Sequence, residues 1–437
     1  MYKTFFIETY GCQMNFADSE IVHSILVNVG YVPTMEIRKA DFVFINTCSI
    51  RDHAEQRVLN RLQEVQSLKK KRPHLIIGIL GCMAERLQKQ LIEKNKNVDL
   101  VVGPDAYRRL PEMLNSLSTQ DKAIDTLLST EETYSDIEPI RLSSNRVSAF
   151  IAIMRGCENY CAYCVVPYTR GRERSREART IIHEAQVLFD QGYREVTLLG
   201  QNVNSYRCDT VDFADLLALT AQINPLLRVR FATSHPKDLS DKLLETMAQY
   251  PNICRSIHLP IQSGSDTILQ KMNRKYTLAW YKDRIAAIRR YLPDCSLSTD
   301  IIVGFCDETE QDYKDTLSLM QEVGYASAFM FKYSERPDTY AAKHYADNIP
   351  EDVKSQRLAH VIDFQQQSSL LSNQRDIGQT FEVLVEGVSK RSTTQYIGRN
   401  SQNKVVIFSH TDEKPGDYIY VRITDCSAVT LFGQRIE

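Results

Sequence analysis

No uninterrupted apolar run in the 437-residue chain approaches the ~20 residues that a membrane-spanning helix requires, so an α-helical span is excluded. Charge of one sign is also lacking. The formal net charge is only -2, which leaves no polyanion binding by overall electrostatics. The opening MYKTFFIETYGC has neither the long apolar core nor the small-residue cleavage site of a secretory signal and reads as a strand, so a cytoplasmic location is expected. No convincing acid–base dyad stands out, which turns attention away from proton-transfer chemistry. What remains is an ordinary globular composition, 43% hydrophobic and 25% charged. Its length suits two to four domains of roughly 100 to 200 residues. Eleven cysteines in a cytosolic chain favour metal ligation over disulfides.

Three of these cysteines, Cys157, Cys161 and Cys164, fall together in MRGCENYCAYCVVPYTRGR with C-x3-C-x2-C spacing. Thiolates are the ligands that iron–sulfur clusters select, and three of them leave one iron of a four-iron cluster open. Zinc also accepts cysteine, but structural zinc sites complete a tetrahedron, and no fourth ligand or second knuckle is visible. Packed or disulfide-forming thiols are the other alternative. Directly after the trio, Arg170, Arg172, Arg174, Arg176 and Arg179 crowd together. They read either as a solvated loop or as a grip on the phosphates of a polyanionic substrate.

The first part of the chain repeats an apolar run that ends in cysteine: TFFIETYGC at Cys12, DFVFINTC at Cys48 and HLIIGILGC at Cys82. Between them lie helical patterns, with Ile21, Val22, Ile25 and Leu26 on one face and Val58, Leu59, Leu62 and Val65 on the next. Strands alternating with helices predict a parallel sheet, whose ligands gather outside the carboxyl ends of the strands. The three cysteines, 36 and 34 residues apart, are therefore expected at one edge as a second three-ligand metal site. A cysteine at a strand end is by itself more often a small buried hydrophobe.

A further strand ends at Gly103, an amphipathic stretch runs to about Leu117, and residues 118–142 read as a linker without clear period. Strands are then expected over 149–154, 195–199, 228–232, 256–260, 297–303 and 327–333, with helices such as 180–191 and 310–323 between them. Six such units suit a partial β/α barrel with its active site at the strands' carboxyl ends, where Cys157 falls. From about residue 374 the period changes to alternation, as in Phe381, Val383, Val385 and Ile419, Val421, Ile423, punctuated by Gly387, Gly398, Gly416 and Gly433. This predicts a small antiparallel barrel. Lys390, Arg391, Gln395, Tyr396, Arg399, Asn400 and Lys404 give it a basic, polar face with an aromatic, suited to RNA or equally to water.

In TYGCQMNFADSE, INTCSIRDHAEQR, LGCMAERL, IMRGCENYCAYCVVPYTRGRERSR, LLGQNVNSY, HLPIQSGSD, MNRKYT and the terminal YIGRN, the whole chain resembles the methylthiotransferase family of the radical S-adenosylmethionine (SAM) superfamily. Tyr163, between the last two cysteines, completes the C-x3-C-x-aromatic-C signature of that superfamily. Among the methylthiotransferases the chain looks like those acting on N6-isopentenyladenosine in tRNA, rather than on N6-threonylcarbamoyladenosine or a ribosomal protein aspartate.

The resemblance implies an α/β fold in three domains and a linker: an amino-terminal domain over 1–118, the linker over 119–142, a radical SAM core over 143–373 and a TRAM domain over 374–437. It implies two [4Fe-4S] clusters, one on Cys157, Cys161 and Cys164 that cleaves SAM, and an auxiliary one on Cys12, Cys48 and Cys82. SAM contacts are expected from Tyr163, Gly200, Gln201, Asn202, Ser234, Gln262, Thr299 and Asp300. The tRNA anticodon stem-loop is expected on Arg170, Arg172, Arg174, Arg176, Lys390, Arg391, Arg399 and Lys404, with an external reductant such as flavodoxin, no membrane, and a monomeric enzyme. At VGFCDETE the chain has Cys306 and Asp307 where the family usually shows proline and glycine. Cys306 reads as an incidental thiol, like Cys208, Cys254, Cys295 and Cys426. An iron–sulfur RNA-binding protein without catalysis is the rival from another class.

Overall fold

The computed structural model describes residues 3–48, 52–95, 97–117, 122–142, 145–390, 392, 394–409 and 412–436. The chain divides into two compact units, one made of 1–142 with 152–160 and 164–180, the other of 143–151, 161–163 and 181–437.

In the first unit, the strands Val32–Pro33, Thr4–Tyr10, Phe42–Thr47, Ile76–Gly81, Leu100–Val102 and Ala123–Asp125 lie side by side in that order, all parallel. Alternation along the strand Phe42–Thr47 shows why both faces are apolar. Phe42 and Phe44 pack with Ile21, Val22 and Leu26 of the helix Gln13–Asn28. Val43 and Ile45 pack on the opposite face with Val58, Leu62 and Val65 of the helix Asp52–Lys71. A parallel sheet is covered on both sides in this way, so its strands read as continuous hydrophobic runs.

Of the stretch 118–142, expected as a linker, the described residues 122–142 contribute the sixth strand, Ala123–Asp125, and belong to the first unit. Tyr134 is buried, its hydroxyl donating to the Pro104 carbonyl at 3.0 Å and accepting the Tyr107 N–H at 3.1 Å. Ser24 ties down the next turn, donating to the Glu138 carbonyl at 2.6 Å and accepting the Ile140 N–H at 2.8 Å. These are side-chain-to-backbone ties, which leave no hydrophobic period in the sequence.

In the second unit, Ser148–Ala152, Glu195–Leu199 and Arg228–Phe231 form one trio of neighbouring strands, the last two parallel, and Ser256–His258, Ser296–Val303 and Ser327–Lys332 form another, parallel throughout. Val229 also bridges in parallel to Ile253, in the segment just ahead of the strand Ser256–His258. Glu310–Val323 forms as a helix where the pattern predicts it. Thr309 accepts the Asp312 N–H at 3.2 Å, Asp312 accepts the Thr309 N–H at 2.9 Å, and Gly324 ends the helix in the left-handed conformation.

The strand expected to reach residue 154 stops at Ala152. Within the first unit, Met154–Arg155 pairs antiparallel with Arg174–Ser175, pinching the base of the cysteine loop.

The helix Glu351–Gln374 leads into a closed barrel of Thr380–Val388, Gln395–Asn400, Val405–Ser409, Thr430–Ile436 and Tyr418–Cys426, in that order. Val383, Val385, Val421 and Ile423 point inward, as their alternation predicts. One neighbour pair, Val405–Ser409 with Thr430–Ile436, is parallel rather than antiparallel. A closed ring of five strands cannot alternate direction throughout, so one such pair is unavoidable. Arg228 Nη1 donates to the Arg399 carbonyl at 2.7 Å and Arg230 Nη2 to the Asn400 carbonyl at 2.8 Å, anchoring this barrel to the strand Arg228–Phe231.

Candidate active site

Three carboxyl ends of the first sheet bring Cys12, Cys48 and Cys82 into one neighbourhood. Cys12 caps the helix Gln13–Asn28, Cys48 continues from the strand Phe42–Thr47 with its N–H on the Tyr10 carbonyl at 3.0 Å, and Cys82 opens the helix Cys82–Leu87. Two glycines permit the close approach. A Cβ on Gly11 would stand 2.6 Å from Cys48 Cβ, and one on Gly81 2.5 Å from Asn46 Oδ1. Asn15, fully buried, knits the edge together: its Nδ2 donates to Asn46 Oδ1 and to the Thr47 carbonyl, both at 3.2 Å. Cys12 Sγ approaches Asn15 Oδ1 at 3.3 Å.

A hydrogen bond with Cys48 outweighs burial and, with the charge of Arg170, holds the Cys12 thiol below its ordinary value. Burial instead pushes the Cys82 thiol up, opposed by Arg170.

Arg170 is the residue that sequence reasoning misassigned most. Its Nε donates to Cys82 Sγ at 3.2 Å and its Nη2 to Asp18 Oδ2 at 2.8 Å. Asp18 also accepts from Arg155 Nη2 at 2.6 Å and has no exposed surface. Burial alone would raise the Asp18 carboxyl, but the two guanidiniums hold it below its ordinary value.

Arg174 is buried against Asp105 at 2.9 Å, and Arg176 donates to the Ala152 carbonyl at 2.9 Å. The expectation that Arg170, Arg174 and Arg176 hold phosphates is thus corrected: interior partners occupy all three. Arg172, with 77% of its side chain exposed, and Arg179 remain at the surface.

The second trio sits in the loop after Met154–Arg155. Within the first unit, the Cys157 N–H bonds to the Gly171 carbonyl at 3.1 Å, Asn159 Nδ2 donates to Cys157 Sγ at 3.4 Å, and the Val166 N–H donates to Cys164 Sγ at 3.5 Å. Within the second unit, Arg274 Nη1 donates to Cys161 Sγ at 3.2 Å and to the Tyr163 hydroxyl at 3.3 Å. Its Nη2 reaches the Pro260 carbonyl at 2.8 Å. Among the described residues, no three Cys, His, Asp or Glu side chains are drawn to the spacing that grips a single metal ion. An iron–sulfur cluster spreads its ligand sulfurs over several irons. The donor chemistry fits such a group: soft sulfurs receiving N–H bonds from guanidinium and amide donors, the surroundings that stabilise thiolate and tune cluster potential.

At the carboxyl ends of the second unit's strands, Gln201 Oε1, Ser234 Oγ, His235 Nε2 and Gln262 Oε1 are buried without a hydrogen-bond partner. Buried polar atoms are normally paired, so these four fit a polar ligand. Gln262 adopts φ 76°, an uncommon backbone for a non-glycine residue. Burial and the nearby Arg274 charge drive the His235 imidazole far below its ordinary value and keep it neutral.

Gly200 is buried just beyond the strand Glu195–Leu199. Other expected contacts have protein partners. Asn202 donates to Asp238 at 2.7 Å and accepts the His235 N–H at 3.1 Å; Thr299 Oγ1 donates to the Leu259 carbonyl at 3.0 Å and accepts the Ile261 N–H at 3.0 Å. Asp300 lies 3.4 Å from His258. Cys306 is buried beside Phe305 and Tyr333 as a packing residue.

On the terminal barrel, Lys390 is exposed, Arg399 pairs with Glu386 at 3.1 Å and Lys404 with Asp376 at 2.6 Å. Arg391 lies outside the described residues. Tyr396 packs in the barrel core with Phe408, and Asn400 is buried, so neither belongs to the polar face expected of them. An exposed aromatic does occur at Tyr420.

Asn15, Asp18, His235 and Arg274 had no assigned role from sequence. Asn15, Asp18 and Arg274 lie inside the stretches TYGCQMNFADSE and MNRKYT, where cysteines and turn residues draw attention first.

Three family profiles divide the chain: Uncharacterized protein family UPF0004 over residues 4–103, the Radical SAM superfamily over 151–320 and the TRAM domain over 374–436. The fold and the cysteine pattern therefore define a radical SAM protein with an added amino-terminal α/β domain and a terminal TRAM barrel. Curated relatives narrow this further. The chain is 56% identical to the tRNA-2-methylthio-N(6)-dimethylallyladenosine synthase of Bacteroides fragilis, covering 99% of this chain and 96% of that one. It is 57% identical to that of Bacteroides thetaiotaomicron, with the same coverage. For the Porphyromonas gingivalis protein of that name the identity is 54%, over 100% and 95%. The chain belongs to the family of tRNA-2-methylthio-N(6)-dimethylallyladenosine synthases.

Among solved structures, the radical SAM methyltransferase TsrM from Kitasatospora setae superposes with a TM-score of 0.60 at 13% identity, over 78% of this chain and 75% of that one. The cobalamin-dependent radical SAM enzyme OxsB gives 0.54 at 11%, over 81% and 56%. These likenesses speak for the fold.

Proposed function

We propose that the chain transfers a methylthio group to carbon 2 of N6-isopentenyladenosine at position 37 of tRNA, yielding 2-methylthio-N6-isopentenyladenosine. The observation that carries this reading is the presence of two separate cysteine trios, each with an arginine N–H on one sulfur. A single trio would make a radical generator; the second supplies a place for sulfur. SAM and two [4Fe-4S] clusters supply, when bound, the methyl group, the 5'-deoxyadenosyl radical that activates an unreactive C–H bond, and the iron that holds the transferred sulfur.

Cys157, Cys161 and Cys164 hold the SAM-cleaving cluster in this reading, and Cys12, Cys48 and Cys82 the auxiliary one. Gln201, Ser234 and Gln262 offer their unpaired oxygens to the polar groups of SAM, and Tyr163 is oriented by the Arg274 hydrogen bond. His235, neutral and buried, engages the ligand without adding charge. Arg172, Lys390 and Arg399 face the anticodon stem-loop, whose unpaired bases are splayed out and stacked more readily than paired ones. The enzyme acts in the cytoplasm as a monomer, with electrons delivered by an external reductant such as flavodoxin. No helix among the described residues is long and apolar enough to cross a membrane.

Mass analysis of tRNA nucleosides from a strain lacking the gene tests the reading. The methylthio-isopentenyl nucleoside should vanish and N6-isopentenyladenosine accumulate; persistence of the former overturns it. With reconstituted protein, Cys161→Ala should abolish reductive SAM cleavage. Cys48→Ala should retain cleavage and lose methylthio transfer. A SAM-cleaving Cys161→Ala variant would refute the division of labour.

A further inference from the structure

We propose that Arg170 is a positioning residue that sets the reduction potential of the auxiliary centre, and that Asp18 sets how much of its positive charge the centre feels. The inference rests on the reading that Cys12, Cys48 and Cys82 ligate that centre. Three observations within the first unit carry it.

Arg170 is 3% exposed, and the two donors along one edge of its guanidinium are divided between unlike acceptors, Nε to the Cys82 sulfur at 3.2 Å and Nη2 to the Asp18 carboxylate at 2.8 Å. Asp18 is in turn shared with Arg155 at 2.6 Å, so two buried cations stand on one buried anion and the group keeps a net positive charge beside the sulfur. Arg170 also closes the five-residue helix Val166–Arg170, whose first N–H donates to Cys164 Sγ, so the same short element touches a cysteine of each trio.

The physics fixes a sign for each residue. An N–H bond to a ligand sulfur and a nearby positive charge both stabilise the more negative, reduced form of a cluster, and so raise its potential. In a desolvated site these terms are weakly screened. Removing the guanidinium takes away both. Removing the Asp18 charge while keeping its shape leaves the guanidinium in place and uncompensated, so the sulfur feels more positive charge. The two substitutions must therefore act in opposite directions, although both disturb the same buried network.

The test uses the full chain carrying Cys157→Ala, Cys161→Ala and Cys164→Ala, reconstituted anaerobically so that iron is held only at the other trio. Iron and sulfide analysis comes first: no iron in this background refutes the ligand reading itself. With iron retained, the midpoint potential is measured by redox titration monitored by electron paramagnetic resonance. Arg170→Gln is expected to shift the midpoint to lower potential and Asp18→Asn to higher potential. Arg170→Lys, which keeps the charge but loses the planar two-acceptor edge, should fall between Arg170→Gln and the unsubstituted chain. Shifts of the same sign for Arg170→Gln and Asp18→Asn, or none, overturn the inference. If Arg170→Gln does not hold iron, Arg170→Lys and Asp18→Asn decide by the same opposition of sign.

Discussion

Replacing Gly156 by alanine separates two effects that usually arrive together. Gly156 has φ 80°, and a Cβ there would stand 1.8 Å from the Arg172 carbonyl oxygen and 2.4 Å from its carbon. Gly30, in the same unit, has φ 91°, but a Cβ there would meet no heavy atom within 4 Å. Gly30→Ala therefore carries only the left-handed backbone penalty, ~1–2 kcal/mol. Gly156→Ala carries that penalty and the overpacking of a contact with backbone, which cannot rotate aside, for a further ~1–3 kcal/mol.

Urea unfolding of the two variants should give a lower midpoint for Gly156→Ala, the difference being that second amount divided by the denaturant slope m. A functional readout accompanies it. The carbonyl of Gly171, next in chain to Arg172, accepts the Cys157 N–H, so pushing this segment away should also lower SAM cleavage. Gly30→Ala should leave cleavage unchanged. Equal midpoints and equal cleavage in the two variants would refute the steric argument.

Burial, with the carboxylates of Asp105 and Asp125 nearby, pushes the Glu85 carboxyl up to about 8. The folded chain then holds this proton more tightly than the unfolded chain, so stability is fullest below the ordinary value of 4.5 and declines as pH rises toward 8, by on the order of a few kcal/mol. Glu85→Gln should flatten that slope in pH-dependent melts; an unchanged slope counts against the assignment. Arg172→Ala should weaken tRNA binding and lower its salt slope by about one phosphate, measured by titration at several salt concentrations. Arg174→Met should leave the salt slope unchanged while costing ~3–5 kcal/mol of stability, because it strands the buried Asp105 carboxylate. A salt slope that falls in Arg174→Met would return that residue to the RNA face.

The elements with strong periodicity were legible in the sequence. Val58, Leu62 and Val65 are buried together, and the helix Glu310–Val323 has the limits that its cap residues dictate. Alternation likewise named the inward residues of the terminal barrel. Polar partners were not legible, because periodicity carries no information about them. Five arginines within ten positions look like a basic patch, yet Asp18 and Asp105, far off in sequence, draw Arg170 and Arg174 inside. Tyr396 looks like a stacking platform while only its local neighbours are known; the closure of the barrel turns it inward. The stretch 118–142 looks like a linker for the same reason, since its ties to Ser24 and Glu20 cross more than a hundred residues of sequence.

The helix Val166–Arg170 has a consequence for what lengths of chain the protein tolerates. At 1.5 Å per residue it is roughly 7 Å long, a fixed spacer between the Cys164 sulfur at one end and the Arg170 contact with Cys82 at the other. A substitution within it changes a side chain, but an inserted or deleted residue swings everything beyond by about 100° and carries the guanidinium off its sulfur. The segment should therefore behave as a ruler: permissive toward changes of residue type at Tyr168, which faces solvent, and intolerant of any change in count.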